Sequence, residues 1–140
     1  VPIDQLNDKD IRHILLETRT IAVVGLSPNP VRPSHTTAQY LIAKGYHVVP
    51  VNPNLDNVLG LTCYADLRDI PFSIDMVDLF QRSEVIPEYV AAAASTAARF
   101  FWMQLGIVNS EAAKAAKLAG MEVVMDRCTK IEHARLLDTI

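Results

Sequence analysis

Glycine is scarce in this sequence, with five in 140 residues. Phosphate loops built on two or three closely spaced glycines are therefore absent, since each such glycine serves a tight turn or a close backbone approach. Cysteine is scarcer still. Cys63 and Cys128 form no C-x-x-C pair, and free thiols in a cytoplasmic protein are expected, with a disulfide as the alternative. The four histidines are dispersed and no H-E-x-x-H occurs, so no metal site is expected. Lysines and arginines form no run and the net charge is −3, which speaks against nucleic acid as a partner. No apolar stretch approaches the roughly 20 residues that cross a bilayer, so no membrane partner is expected. The opening VPIDQLNDKD has neither the basic nor the apolar segment of a secretory leader.

Half of the residues are hydrophobic and 21% are charged, the balance of a globular chain that can bury a core. Apolar runs of strand length alternate with segments of helical period. LNDKDIRHILLE sets Leu6, Ile11, Ile14 and Leu15 on one stripe. TIAVVG, YHVVPV, SIDMVDLF, RFFWMQ and MEVVMD read as five strands. SHTTAQYLIAKG reads as a helix with Ser34 as N-cap and Gly45 just past its end. RSEVIPEYVAAAASTAA reads as a helix capped by Ser83, and NSEAAKAAKLAG as a helix ending at Gly120. TKIEHARLL opens with Thr129 and has Glu132 three residues on, a capping-box pattern. TCYADLRDIP reads as a short extended piece and a helical turn. The order predicts an α/β fold in one domain over residues 1–140: a doubly wound, mostly parallel sheet with helices on both faces. In such sheets ligands bind beyond the carboxyl ends of the strands, at a switch in strand order.

The residues just after each strand are therefore the candidates. After the first strand come Gly25, Ser27, Pro28, Arg32, Pro33 and Ser34. Gly25 lets the backbone turn, the following helix offers free N–H groups, and Arg32 can pair with phosphate oxygens. The alternative is a plain loop with a surface arginine. GLSPNP departs from G-x-G-x-x-G at its second and third glycines. Asn52 and Pro53 follow the second strand, where an NAD site calls for an acidic residue. Phe80 and Arg82 follow the third strand, and Phe80 suits either a ligand ring or the core. Gln104, Leu105 and Gly106 follow the fourth. Cys128 falls just before a helix start, which favours thiolate; an inert, partly buried thiol is the alternative. Phe101, Trp102 and Met103 suit either a core or an interface.

Taken together, VVGLSPNPVRPSH, VVPVNPN, CYADLRDIP, VDLFQRSE, WMQLGIVN and VMDRCTKIEH resemble the small stand-alone CoA-binding proteins of bacteria and archaea. That family in turn resembles the CoA-binding domain of the succinyl-CoA synthetase alpha subunit. The resemblance implies a Rossmann-like fold with coenzyme A across the strand ends. It implies a glycine turn at Gly25, Ser27 and Pro28, and CoA phosphates at Arg32, Pro33 and Ser34. It implies an adenosine-side turn at Asn52 and Pro53, and further contacts from Phe80, Arg82 and the Gln104–Gly106 loop.

The synthetase reaction uses a phosphorylated histidine, and no histidine here sits in a matching motif. The expectation is a binder of CoA or an acyl-CoA without catalysis of its own and with no protein partner named by the sequence. One alternative is an NAD(P)-dependent oxidoreductase. Another is thiol chemistry between Cys128 and the CoA thiol. A serine hydrolase built on Ser27 lacks G-x-S-x-G.

Overall fold

The computed structural model describes residues 5–138. The leader reading of residues 1–4 and the ends of the 1–140 domain lie outside the described residues. Five parallel strands form one sheet: β1 (Thr20–Val24), β2 (His47–Val51), β5 (Met76–Leu79), β6 (Phe100–Met103) and β7 (Glu122–Val124), in the order β2-β1-β5-β6-β7. A hairpin of β3 (Asn57–Val58) and β4 (Leu61–Thr62) forms a second, two-stranded sheet beside β2. The helices are α1 (Asp8–Glu17), α2 (Pro33–Ala43), α3 (Val90–Ser95), α4 (Ser110–Leu118) and α5 (Thr129–Leu136). Two 3-10 helices, η1 (Leu67–Asp69) and η2 (Ser83–Tyr89), complete the set.

Residues alternate between the two faces of each strand, so one apolar run supplies two cores. Ile21, Val23, Val48, Met76, Phe100, Trp102 and Val124 point to one face and meet Ile11, Ile14 and Leu15 of α1 and Ala38 and Leu41 of α2. Ala22, Val24, Val49, Val77, Leu79, Phe101, Met103 and Val123 point to the other. There the alanines of α3 and α4 join the cluster that holds Phe101 and Met103. Phe101, Trp102 and Met103 are all fully buried, so the core explains them. The result is the α/β, doubly wound, Rossmann-like architecture that the alternating pattern predicts.

Helix ends fall where glycine can take a positive φ. At the end of α2 the Gly45 N–H bonds to the Ile42 carbonyl and the Tyr46 N–H to that of Leu41, the paired closure of a Schellman turn. Gly120 and Met121 close α4 in the same way. Three predicted caps are corrected by the structure. Arg32, not Ser34, is the N-cap of α2, because Pro33 takes the first helical position. Ser83 does not cap. Its hydroxyl accepts from the Val108 N–H, and its carbonyl accepts from the Asn109 side chain. Pro87 has no N–H to offer Ser83, so the predicted continuous helix divides into η2 and α3. Thr129 opens α5, but Cys128 is the N-cap and the box is not formed. The capping box instead occurs at Asn7 and Asp10 of α1.

The chain leaves β1 toward β2 and leaves β5 toward β6, so the switch in strand order lies between β1 and β5. Gly25 stands there at φ +85, and a Cβ on it would come within 2.5 Å of the Phe80 carbonyl oxygen. Neither that conformation nor that gap admits a side chain. Gly25→Ala is expected to lower unfolding free energy by about 2–4 kcal/mol, from the strained backbone and the overpacking together. Denaturant unfolding of the variant checks this; a change under about 0.5 kcal/mol, the level of a neutral surface substitution, would show that the two loops yield freely.

Candidate functional site

A cleft of about 820 Å³ opens at the switch point. Its first wall is the loop after β1. Sparse in glycine, this loop is held by side chains. The Ser27 N–H donates to Ser34 Oγ at 2.9 Å, and the Ser27 carbonyl accepts from His35 Nδ1 at 2.8 Å. Ser27 Oγ accepts from the Asn29 N–H, and Asn29 Oδ1 from the Val31 N–H, each at 3.1 Å. Short polar side chains thus fix a turn that glycines fix elsewhere. Arg32 ends the loop with its guanidinium exposed and without a hydrogen bond or ion pair among the described residues.

The other walls come from Phe80, Gln81 and Arg82 after β5, from Gln104, Leu105 and Ile107 after β6, and from Cys128, Lys130 and Ile131 at the start of α5. The first turns of α2 and α5 both border the space. Arg32, Arg82 and Lys130 bring three cations to it, and among the described residues no carboxylate lines it. Arg82 has one loose ion pair, with Glu84 at 4.0 Å. Leu105 and Ile131 are largely exposed at the rim. Cys128 is half-buried, with Sγ 3.9 Å from Thr37 Oγ1. Cys63 is also a free thiol, buried away from this cleft, and burial pushes its thiol pKa up.

Nine of the candidates drawn from the sequence meet here: Gly25, Ser27, Arg32, Pro33, Ser34, Phe80, Arg82, Gln104 and Cys128. Four do not line the cleft. Pro28 is exposed in the loop. Asn52 ties two strand-end loops together, donating to the Leu26 carbonyl and accepting from the Asn54 N–H. Pro53 borders a separate cleft of about 350 Å³ with Val24, Tyr89 and Gln81, the last of which lines both. Gly106 sits in a turn where its N–H bonds to Asp126 at 2.6 Å. Sequence reasoning passed over Thr36, Thr37, Gln81, Lys130 and Ile131. Thr36, Thr37, Lys130 and Ile131 lie in the opening turns of α2 and α5 and Gln81 lies two residues past β5, and that placement was the signal available.

It also passed over Asp78. This residue is fully buried in β5, beneath the cleft. Its carboxylate accepts from Gln104 Nε2 at 2.5 Å and from the Thr129 hydroxyl at 3.0 Å, while Thr129 Oγ1 accepts from Gln104 Nε2 at 2.9 Å. Desolvation outweighs these bonds and pushes the Asp78 pKa up to about 7. The one clue in the sequence was a lone acid inside the apolar run MVDLF.

The chain resembles known proteins in sequence and in fold. The sequence pattern of the family described as "CoA binding domain" matches residues 19–134. YneT of Bacillus subtilis, described only as uncharacterized, is 42% identical over 125 residues, which are 89% of this chain and 93% of that one. A hypothetical protein from Pyrococcus horikoshii has a solved structure that superposes with a TM-score of 0.94 at 45% identity. The match covers 98% of this chain and 96% of that one. An ADP-forming acetate–CoA ligase of Archaeoglobus fulgidus is 33% identical over 82 residues, 57% of this chain but 12% of the ligase.

A group buried in the folded state with its pKa raised from 3.8 to about 7 binds a proton that the unfolded chain releases. Its stabilising contribution is complete below about pH 4 and is lost as the pH rises through 7. Wild type is therefore expected to lose about 2–3 kcal/mol more than Asp78→Asn between pH 5 and pH 8. Paired denaturation curves at the two pH values measure it, and parallel pH profiles for the two proteins would refute it.

Proposed function

We propose, from the premise that this chain belongs to the CoA-binding domain family, that the cleft at the switch point holds coenzyme A or an acyl-CoA without catalysing its conversion. The observation that carries this reading is a cleft with Arg32, Arg82 and Lys130 and, among the described residues, no carboxylate in its lining, in a chain whose net charge is −3. Such a site selects an anion. The phosphates of CoA fit against Arg32 and the first turn of α2, where the Ser34 N–H and the helix dipole favour negative charge. The pantetheine arm then runs over Phe80, Gln104, Leu105 and Ile131 toward Cys128. The adenosine half lies toward Asn52 and Pro53, across Gln81.

The same residues disfavour a dinucleotide oxidoreductase. The side chain after β2 is Asn52, an amide engaged with Leu26 and Asn54. A carboxylate for the NAD ribose is missing there. Among the described residues no histidine, aspartate or glutamate lines the cleft, so neither Ser27 nor Ser34 meets a general base of that kind within it. Both serines act on the loop backbone. Binding without turnover is the function these contacts support.

Calorimetric titration with CoA, dephospho-CoA, NAD and NADP tests the proposal. CoA is expected to bind most tightly. Arg32→Ala is expected to weaken it by about 1.5–3 kcal/mol, the scale of a charge-assisted hydrogen bond. Tighter binding of NAD or NADP than of CoA would overturn it.

A further inference from the structure

We propose that Asp78 is a positioning residue that holds the Gln104 carboxamide with its oxygen toward the cleft, so that the floor of the site accepts a hydrogen bond from its ligand. This inference rests on the reading of the cleft as a CoA site and says what that site recognises at its centre. The argument starts from donor and acceptor capacity. Above about pH 7 Asp78 is ionised, and an ionised carboxylate only accepts. Asp78 takes one hydrogen from Gln104 Nε2 and one from the Thr129 hydroxyl. Thr129, having given its only hydrogen to Asp78, can serve Gln104 only as an acceptor, and it takes the other Nε2 hydrogen. The three side chains close a ring in which every donor is used.

That ring leaves one atom over. Gln104 Oε1 makes no hydrogen bond among the described residues, and no enclosed side-chain oxygen there lacks a partner. It therefore opens to the cleft that Gln104 lines. Flipping the amide would set Oε1 against the acceptor oxygens of Asp78 and lose two hydrogen bonds, so the orientation is locked. The floor then matches a ligand N–H or S–H and repels a carbonyl placed at the same point. The pantetheine arm of CoA carries such donors: two amide N–H groups, a hydroxyl and a thiol. Asparagine at position 78 would both donate and accept, and the Gln104 amide would turn either way.

The experiment titrates wild type and Asp78→Asn at pH 8 with three probes: CoA, desulfo-CoA, which lacks the thiol, and 3′-phosphoadenosine 5′-diphosphate, which lacks the whole arm. The variant is expected to bind CoA about tenfold more weakly and the armless nucleotide within about twofold of wild type, the effect of one lost neutral hydrogen bond. If the thiol is the donor, wild type prefers CoA to desulfo-CoA and the variant erases that preference. If an arm amide or the arm's hydroxyl is the donor, CoA and desulfo-CoA weaken in parallel. An equal change for CoA and the armless nucleotide, or no change for either, overturns the proposal. Failure of wild type to bind CoA would instead overturn the reading of the cleft. Independently of any ligand, the Gln104 side-chain NH2 resonances of wild type should exchange slowly with water; fast exchange of both hydrogens would show that the ring is not closed.

Discussion

The near-contact of Gly25 with the Phe80 carbonyl is the constraint on which the site depends. The loops after β1 and β5 leave neighbouring strands in opposite directions, one toward β2 and one toward β6. They can part only beyond the point where they touch. With a side chain at Gly25 the β1 and β5 ends would have to separate, and the parallel register from Ile21 to Val24 against Met76 to Leu79 would lose its last pair. Once the loops part, the start of α2 faces one side of the gap and the start of α5 the other. Two helix N-termini then meet across a space that sheet geometry has already opened.

Charge around that space is arranged by what lies elsewhere. Acids outnumber bases in the chain, yet several of them pair with cations that do not line the cleft. Asp8 and Glu132 hold Arg135, and Glu132 also holds Arg127, across the α1–α5 contact. Asp138 holds Lys44, and Glu17 faces Arg99. These pairs take up the cations that serve the scaffold. Arg32 and Lys130, at the cleft, have no carboxylate partner among the described residues. Exposed ion pairs add little stability. Their effect here is on where positive charge is left uncompensated.

The strands, their alternation with helices and the position of the first loop were legible because hydrophobic period and glycine closure are local signals. The caps were not. Ser34, Ser83 and Thr129 each carry a hydroxyl that any helix start could use, and each is engaged by a distant backbone or side chain instead. The β3–β4 hairpin escaped notice because its turn is Leu59–Gly60, both at positive φ, and leucine is no turn residue. Within the site, residues adjacent to strand ends were legible, since topology alone sends them there. Asn52 and Gly106 share that address, but their hydrogen bonds turn inward to the scaffold. Asp78 was illegible: its role depends on Gln104 and Thr129, 26 and 51 residues away along the chain.

Asp78 also shows why stability alone does not account for this sequence. A carboxyl enclosed in the sheet beneath the cleft is costly to ionise, and its two hydrogen bonds offset only part of the desolvation. Asparagine would satisfy Gln104 and Thr129 at lower cost. What asparagine cannot do is impose a direction, because an amide pairs with either end of another amide. Above about pH 7, where Asp78 is ionised, it has no hydrogen to give, so it dictates the orientation of Gln104 and, through it, which atom the cleft presents. The ionic group is thus the cheaper solution to specificity though not to folding, and its burial on the strand adjoining the switch point puts that specificity under the centre of the site.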